Sequence, residues 1–277
     1  MKNNKIKIGI IGCGNMGEAI LFGGLKNKDF LFSICERRPA VIKRVKKLLA
    51  SKIKRVDFLS LSKLVEVSDV IIIAVKPQDI EVVLEQIRQA KELLKKSPLI
   101  ISIAAGIKTS YLEKKLGKAV RVIRVMPNIA IKVKEGLMVF KKGRFSNNHD
   151  LRIATSIFAG LGRTLIIKKE LLMDAITAIS GSGPAYVAYI IEAILKVAEE
   201  LRIDKDLAKQ LIYHTFLGTL KFLQENDFNT KELISQVASK KGTTEKALGV
   251  FKRYKLDKII RKAIVSAFRR ARQLSHK

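Results

Sequence analysis

A glycine-rich turn near the amino terminus constrains the fold of this chain more than any other feature of its sequence. The turn, Gly12-Cys13-Gly14-Asn15-Met16-Gly17, lies between an apolar, β-branched run over residues 5–11 and a helical pattern over residues 16–26. Glycines at this spacing allow a tight turn and let a pyrophosphate approach the N–H groups at the positive end of a helix. Because a predicted strand precedes the motif and a predicted helix follows it, it favours a dinucleotide site over an ordinary strand-to-helix turn. Gly12, Gly14 and Gly17 are therefore candidate cofactor-binding residues.

The first half of the chain alternates strand-like and helix-like segments. Apolar runs without polar alternation are typical of parallel strands that are covered on both faces. Further predicted strands cover residues 30–35, 70–75, 99–103, 119–126, 136–140 and 164–167. Further predicted helices cover residues 39–49, which a proline opens, and residues 79–94. This alternation predicts an α/β fold with a Rossmann-type doubly wound parallel sheet over residues 1–168.

No strand pattern follows residue 168. Helical periodicity covers residues 184–201, 204–225, 230–238, 243–251 and 256–274. Asp204, Thr230 and Thr243 are the candidate helix caps. We therefore predict an all-helical domain over residues 169–277. An apolar helical domain without a sheet is expected to bury a large hydrophobic surface against a second copy of the chain, as obligate dimers do.

The charge and the composition argue against several classes of protein. Lys and Arg number 54 against 25 Asp and Glu, a formal net charge of +29, but the basic residues run along the whole chain and no nucleic-acid-binding motif is present. We interpret the charge as solvated helix faces and expect no nucleic-acid partner. Two cysteines are too few for a disulfide scaffold in a chain of this length, which favours a cytoplasmic protein. The three histidines form no recognisable ligand pattern, and no metal site is predicted.

The longest uncharged run, residues 175–191, approaches the length of a membrane span. Its middle carries Ser180-Gly181-Ser182-Gly183-Pro184, a composition typical of turns. We interpret the run as a buried loop that enters a core helix, and we expect no membrane-spanning segment.

The residues at the end of the second predicted strand favour two different dinucleotides, NAD(H) and NADP(H). Glu36 lies 19 residues after Gly17, where a carboxylate accepts hydrogen bonds from the ribose hydroxyls of NAD(H). Arg37 and Arg38 follow directly, and guanidinium groups at this place favour the 2′-phosphate of NADP(H). The two arginines are equally well explained as solvated charges at the start of the next helix. The sequence leaves both cofactors open, with NADP(H) favoured.

Four further segments carry unusual residue combinations. Three follow successive predicted strands, at the sheet edge where open α/β folds bind ligands, and the fourth opens the helical half. They are Val75-Lys76-Pro77-Gln78, Ser102-Ile103-Ala104-Ala105-Gly106, Arg124-Val125-Met126-Pro127-Asn128 and Ser180-Gly181-Ser182-Gly183-Pro184-Ala185-Tyr186. Together with the glycine turn, and in the same order along nearly the whole chain, these segments resemble the pyrroline-5-carboxylate reductase family.

The resemblance implies an NAD(P)H-binding domain followed by a helical domain that forms an interlocked dimer. In this family the dimers are often assembled further, and the substrate lies at the dimer interface. Matching positions imply cofactor contacts from Gly12, Asn15, Met16, Gly17, Ala74, Val75, Lys76, Pro77, Ala104 and Gly106.

The family also has a loop resembling Ser-Pro-Gly-Gly-Thr-Thr between two helices, whose backbone amides hold the substrate carboxylate. The matching segment here is Ser239-Lys240-Lys241-Gly242-Thr243-Thr244, which makes candidate substrate-binding residues of Ser239, Gly242, Thr243 and Thr244. The resemblance gives Thr244 the catalytic role, a hydrogen bond to the ring nitrogen. Lys240 and Lys241 depart from the family. They add positive charge beside an anionic substrate, and a lysine disfavours the positive φ that glycine allows.

The resemblance implies reduction of 1-pyrroline-5-carboxylate to L-proline, the last step of proline biosynthesis, by hydride transfer from NAD(P)H to a cyclic imine. Two alternatives remain open. A β-hydroxyacid dehydrogenase shares the Rossmann-plus-helical layout, but residues 184–195 lack the lysine and asparagine that such enzymes carry on this helix. A paralogue that binds NAD(P)H without turnover is allowed by Lys240 and Lys241, because fold similarity does not fix function.

Overall fold

The computed structural model describes residues 5–49, 56–91, 97–117 and 119–275, and the first unit within them is built around an eight-stranded sheet. The strands are β1 (Ile6–Ile11), β2 (Phe30–Cys35), β3 (Val56–Phe58), β4 (Val70–Ile73), β5 (Leu99–Ser102), β6 (Val122–Met126), β7 (Gly136–Lys142) and β8 (Gly162–Ile166). The helices of this unit are α1 (Asn15–Gly24), α2 (Pro39–Leu48), α3 (Leu61–Val67), α4 (Ile80–Lys91), α5 (Thr109–Leu116), α6 (Asn148–Phe158) and α7 (Leu172–Ile176).

The sheet confirms the predicted doubly wound α/β architecture. Its strand order is β3-β2-β1-β4-β5-β6-β7-β8, and β1 to β6 are all parallel. β7 runs antiparallel to β6, and β8 runs parallel to β7. The strand order reverses between β1 and β4, and open sheets bind ligands at such a switch point. The glycine turn after β1 therefore stands where a ligand site is expected.

Each predicted strand and helix has an observed counterpart, but β3, α3, α5, α6 and α7 were not among the predicted elements. β3 spans three residues and α3 seven, so neither is long enough to show a clear period in the sequence. The helix predicted over residues 79–94 is α4, preceded by a 3-10 turn at Pro77–Asp79, and residues 92–94 lie outside the described residues. The last two predicted strands are confirmed as β7 and β8.

Apolar side chains cover both faces of the sheet, as the uninterrupted strand runs predict. On one face Ile8, Ile10 and Ile72 are fully buried in a cluster that includes residues of α1 and α6. On the other face Ile71 and Ile73 are buried with residues of α3, α4 and α5. Burial of each such side chain contributes roughly 1.5–3 kcal/mol. The strand ends that carry the candidate site residues are thus held by a well-packed core.

The second unit consists of helices joined by short turns and has no strand among its described residues, as predicted. Its helices are α8 (Gly183–Glu200), α9 (Lys205–Glu225), α10 (Thr230–Val237), α11 (Thr243–Arg253) and α12 (Leu256–Leu274). By their contacts, residues 183–266 form this unit, whereas the residues from Ala267 onward belong to the first. The predicted domain boundary after residue 168 stays a prediction.

One of the three predicted helix caps is confirmed, and two are wrong. The Asp204 carboxylate accepts hydrogen bonds at 2.9 and 3.0 Å from two N–H groups in the first turn of α9. The cap of α10 is Asn229, whose side chain accepts an N–H of the first turn, and the cap of α11 is Gly242. Thr230 and Thr243 are instead the first helical residues. Because a cap residue has non-helical backbone angles, it falls one position before each threonine.

Residues 175–191 are helical except for a bend at Ser182, so their interpretation as a buried loop is wrong. α7 continues through a π-helical turn at Thr177–Gly181 towards α8. Pro184 is tolerated because it stands in the first turn of α8, where a missing N–H leaves no helical hydrogen bond unmade. The helix Leu172–Glu200 is long and apolar enough, by length and composition alone, to span a membrane, and its most apolar part is almost entirely exposed in the single chain. The expectation of no membrane span stays a prediction.

Candidate cofactor and substrate sites

The glycine turn forms a tight loop between β1 and α1. Gly12 has a φ of +88°, a conformation that favours glycine, and its N–H donates to the Cys35 carbonyl at 2.8 Å. A Cβ on Gly17 would lie 2.2 Å from the Gly12 carbonyl oxygen, so only glycine lets α1 come this close to the loop. Gly14 caps α1 without a side chain, and no side-chain cap covers the first N–H groups of the helix. A helix end of this kind binds anions.

The segment after β4 forms one wall of the glycine loop. A Cβ on Gly12 would lie 2.9 Å from the Ala74 carbonyl oxygen and 3.0 Å from the Val75 Cγ1 atom. Lys76, which is exposed, and Pro77 continue the segment. The structure thus brings these residues to the same sheet edge as the loop, and their contact with a cofactor stays a prediction.

The segment after β5 lies at the same edge but packs against the carboxyl-terminal helix. Ala104 is buried, and its N–H donates to the Ser102 hydroxyl at 3.3 Å. Gly106 has a φ of +77°, and a Cβ on it would lie 2.8 Å from the Cβ of Leu274. Gly106 therefore faces the end of α12, a contact that the sequence did not indicate.

Glu36 and Arg38 form a compact ion pair beside the glycine loop. The Glu36 carboxylate accepts from the Arg38 guanidinium at 2.9 Å, from the Arg38 N–H at 3.0 Å and from the Cys13 N–H at 2.8 Å. The Glu36 side chain is 3% exposed, whereas that of Arg38 is 56% exposed. Burial alone would raise the Glu36 pKa, but the hydrogen bonds from Arg38 and Cys13 lower the pKa to about 2. The carboxylate is held inward as an anion, and the guanidinium is the group that a ligand would meet.

Arg37 has different surroundings from its neighbour. Its guanidinium donates to the Asp79 carboxylate at 2.8 Å and is 78% exposed. Neither arginine is a freely solvated charge, because each pairs with a carboxylate. Of the two arginines, Arg38 is the one beside the glycine loop, because its Nη2 atom lies 3.5 Å from the position that a Cβ on Gly14 would occupy. The sequence, in which the two arginines are adjacent, could not distinguish them.

Asn15 and Met16 open α1. Met16 packs against the apolar core of the first unit. The exposed Asn15 side chain accepts a hydrogen bond from the Lys132 ammonium group at 3.1 Å. Lys132 belongs to no sequence motif, and no local pattern could have revealed its role, since it lies 117 positions from its partner.

Two of the segments on which the resemblance rests come into contact in the first unit. The Asn128 amide, after β6, donates to the Ser180 hydroxyl at 3.4 Å and accepts the N–H of Leu137 at 3.4 Å. A Cβ on Gly181 would lie 2.4 Å from the terminal methyl group of Met126. The Met-Pro-Asn segment and the π-helical turn therefore form one packed surface.

A buried charge network joins β6 to the end of the chain. Arg124 is 2% exposed, its Nη1 atom donates to Glu170 at 3.1 Å, and its Nη2 atom lies 3.9 Å from Asp174. Glu170 also accepts from the N–H and the hydroxyl of Thr109 at 2.8 and 2.7 Å. Burial alone would raise the Glu170 pKa, but the hydrogen bonds from Thr109 and Arg124 lower the pKa. Asp174 accepts from the Ser275 hydroxyl at 2.5 Å, which fixes the end of α12 to this unit.

The loop at residues 239–244 adopts the conformation that its lysine was expected to disfavour. Lys241 has a φ of +61°, so the side chain does not prevent a glycine-like backbone. Its N–H donates to the Glu245 carboxylate at 2.6 Å, and the next N–H, of Gly242, donates to the Ser239 carbonyl at 3.1 Å. These bonds hold a backbone that costs about 1–2 kcal/mol for a residue with a Cβ.

Thr243 and Thr244 begin α11 directly after this loop. Thr243 is exposed and Thr244 is half-buried. Gly242 caps the helix without a side chain, and a Cβ there would lie 2.5 Å from the Ser239 hydroxyl oxygen. The loop thus places small residues at the positive end of an 11-residue helix, an arrangement that suits a carboxylate.

The first unit has the fold and the phosphate loop of a dinucleotide-dependent oxidoreductase, and a helical unit follows it. Two family models match the two halves of this layout. Residues 7–106 match the model described as NADP oxidoreductase, coenzyme F420-dependent, and residues 170–274 match the model described as pyrroline-5-carboxylate reductase dimerisation.

Relatives with the same layout extend over nearly the whole chain. The pyrroline-5-carboxylate reductase of Methanosarcina acetivorans is 34% identical over 98% of both chains. Two solved structures each cover 98% of this chain and 99% of their own. They are 1-pyrroline-5-carboxylate reductase of Streptococcus pyogenes, with a TM-score of 0.87 at 28% identity, and pyrroline carboxylate reductase of Plasmodium falciparum with NADP bound, with a TM-score of 0.85 at 26% identity. The chain belongs to the pyrroline-5-carboxylate reductase family, which confirms the resemblance.

Proposed function

We propose that this protein reduces 1-pyrroline-5-carboxylate to L-proline with NADP(H), the last step of proline biosynthesis. The observation that carries the proposal is the match to a pyrroline-5-carboxylate reductase over 98% of both chains, which includes both units. NADP(H) is the cofactor, and we propose NAD(H) as a second one.

The first unit has the features that NADP(H) needs. Gly12 and Gly17 let the loop turn tightly against β4 and α1, and a pyrophosphate binds the N–H groups at the start of a helix that follows such a loop. Arg38 presents an exposed guanidinium for a charge-assisted hydrogen bond to the 2′-phosphate. When bound, the reduced cofactor supplies a hydride to the imine carbon of the substrate, and the ring nitrogen takes a proton.

The loop at residues 239–244 holds the substrate in this proposal. The N–H groups of Thr243 and Thr244 bind the carboxylate at the start of α11, beside Gly242, and the Thr244 hydroxyl hydrogen-bonds the ring nitrogen. Hydride transfer needs a donor and an acceptor in line at short distance, so fixing the substrate at two points supplies most of the catalytic effect. Because an imine can bind already protonated, a strong acid beside it is not required.

The protein forms a homodimer, and its substrate is a small molecule. Exposed apolar side chains of the helical unit fit a subunit interface, and the most exposed are Tyr189, Leu201, Tyr213, Phe228 and Tyr254. We further propose that the dimers form a higher homo-oligomer, that the protein is cytoplasmic, and that it has no nucleic-acid or membrane partner. The mass in solution, measured by light scattering, tests the assembly.

Mixing the purified protein with 1-pyrroline-5-carboxylate and NADPH tests the function directly. We expect NADPH oxidation, followed by absorbance, together with formation of proline. Binding of NADPH without oxidation would identify a cofactor-binding paralogue instead. Oxidation of a β-hydroxyacid with NADP⁺, without imine reduction, would identify the dehydrogenase alternative.

Removing both arginines after β2 is expected to change the choice of cofactor. In the double variant Arg37→Ala, Arg38→Ala, we expect the Kd for NADPH to rise roughly 10- to 100-fold, because a hydrogen bond to a charged group contributes about 1.5–3 kcal/mol. The Kd for NADH should change less than about threefold. The single variants are matched controls: Arg38→Ala should reproduce the loss, and Arg37→Ala should not. Equal losses for the two cofactors would show that the arginines do not bind the 2′-phosphate.

The loop lysines are expected to make substrate binding sensitive to salt. Each added charge attracts the substrate anion by roughly 2–4 kcal/mol over 4–8 Å at an effective dielectric near 20, and by less where solvent screens it. We expect the substrate KM to rise with salt in the wild type and to depend on salt less in Lys240→Pro, Lys241→Gly.

The double variant Lys240→Gln, Lys241→Gln removes the same charges and keeps non-glycine residues in the loop, so it separates charge from backbone. Thr244→Ala should lower kcat about 10- to 100-fold and leave the salt response unchanged, as expected for lost support of nitrogen protonation. If neither double variant alters the salt response, the lysines do not act on the substrate.

A further inference from the structure

Lys132 places a cation at the opening of the glycine loop from a distant part of the chain. It lies on the 3-10 turn Ile129–Val133 after β6, and its Nζ atom donates to the Asn15 Oδ1 atom at 3.1 Å. Asn15 is the first residue of α1, the helix whose N-terminus follows the phosphate loop. The cation therefore stands beside the start of α1, whose first N–H groups have no side-chain cap.

The turn that carries Lys132 is firmly held. Ile131 is 1% exposed within the main apolar cluster, and a Cβ on Gly136 would lie 2.3 Å from its Cγ2 atom. Lys134 ends the turn with a φ of +65°, and its N–H donates to the Ile131 carbonyl at 3.2 Å. The backbone under Lys132 is thus fixed by packing on one side and by a capped turn on the other.

The ammonium group of Lys132 hydrogen-bonds a neutral side chain. Its recorded hydrogen-bond partner, Asn15, is neutral, and within the described part of the chain no carboxylate forms a salt bridge with its ammonium group. A cation next to a helix N-terminus is unfavourable, because both carry positive charge. An anion bound between them removes the repulsion, so this arrangement is suited to a negatively charged ligand.

The position in the sheet indicates which part of the cofactor the cation meets. Arg38 and Glu36 lie at the end of β2, on one side of β1, whereas Lys132 follows β6, on the other side of β1 in the strand order. The 2′-phosphate belongs to the Arg38 side. The pyrophosphate lies over the N-terminus of α1, where Lys132 contacts Asn15.

We propose that Lys132 is a cofactor-positioning residue whose ammonium group binds the pyrophosphate of NADP(H) together with the N-terminus of α1. The inference rests on the proposed function, since it places the dinucleotide on the glycine loop. Because NADP(H) and NAD(H) share the pyrophosphate, Lys132 raises the affinity for both, in contrast to Arg38.

Titration of the purified full-length protein with NADP⁺ and with NAD⁺, followed by calorimetry, tests the inference. We expect Lys132→Met to raise the Kd roughly 10-fold for both dinucleotides by the same factor, and Lys132→Arg to restore most of the affinity. The matched control is Lys134→Met, which removes an equal charge from the same turn and should leave both Kd values within about twofold.

Two results would overturn the inference. Lys132→Met could bind both dinucleotides as Lys134→Met does, or it could lose affinity for NADP⁺ alone, which would place the cation at the 2′-phosphate. Failure of the proposed function has a different signature, because the wild type would then bind neither dinucleotide or would leave the imine unreduced.

Discussion

Replacing Gly17 with alanine is expected to weaken NADP(H) binding at least 100-fold. The added Cβ would lie 2.2 Å from the Gly12 carbonyl oxygen, a backbone atom of the phosphate loop that has no rotamer by which to move away. Relief of the clash requires α1 to move away from β1, which displaces the N–H groups that bind the pyrophosphate. Overpacking of this kind also costs roughly 1–3 kcal/mol of stability. Calorimetric titration with NADP⁺ and a thermal melt measure the two effects separately.

The matched control for this variant is Gly218→Ala in α9. A Cβ on Gly218 meets no atom of the described residues within 4 Å, so the same substitution should leave cofactor affinity unchanged. It should raise stability by about 0.5–1 kcal/mol, because alanine favours a helix more than glycine does. Unchanged affinity in Gly17→Ala would show that the loop does not depend on the close approach of α1.

Replacing Arg124 with methionine is expected to lower the free energy of unfolding by roughly 3–5 kcal/mol. Methionine fills much of the same volume, but it leaves the carboxylates of Glu170 and Asp174 without their buried cation. Breaking one side of a buried ion pair is costly because the remaining charge stays desolvated. Chemical denaturation of the full chain at one protein concentration measures the loss. The control is Arg88→Met, which removes an exposed pair with Glu85 and should cost less than about 1 kcal/mol.

The effect of Arg124→Met is also expected to depend on pH. The pKa of Glu170 lies below its ordinary value of 4.5 in the folded protein. A carboxyl group of this kind contributes stability that is fully present above 4.5 and is lost as the pH falls through the folded pKa. The variant keeps the two hydrogen bonds from Thr109 and loses the part of that contribution that Arg124 makes. The difference between the two proteins should therefore be largest near neutral pH and should shrink below about pH 4.5. A difference that stays constant down to pH 3 would show that Arg124 does not lower this pKa.

The parts of the fold that the sequence predicts are those with local patterns. Six strands of the sheet are continuous apolar runs or close to them, and Gly12 and Gly17 stand at spacings that the strand-to-helix turn requires. Among the missed elements, β3 and α3 are too short to show a clear period in the sequence. The helix caps at Asn229 and Gly242 were missed because a threonine at the next position carries the same signal, and only the backbone angles separate the two.

The candidate sites depend more than the fold does on contacts between segments that are distant along the chain. Such contacts cannot be read from a single sequence. The pairing of Arg38 with Glu36 involves neighbours two positions apart, yet adjacency alone leaves open whether Arg37 or Arg38 makes it. Arg124 and Glu170 are 46 positions apart, and Lys132 and Asn15 are 117 apart. Long side chains of this kind find partners through the order of the strands, which is fixed only when the sheet forms. At Lys241 a local contact decides the conformation. Its N–H donates to Glu245 four positions later, and this hydrogen bond outweighs the preference of lysine for a negative φ.

The ion pair between Glu36 and Arg38 has an evolutionary consequence. An acidic residue at the end of β2 serves NAD(H), and a basic residue there serves NADP(H), so a lineage that changes cofactor normally has to lose one group and gain the other. This chain carries both at once, with the carboxylate neutralised by the guanidinium. Loss of Arg38 alone would free the carboxylate for the ribose hydroxyls. A descendant could therefore pass from one cofactor to the other through a single replacement, without an ancestor that bound neither.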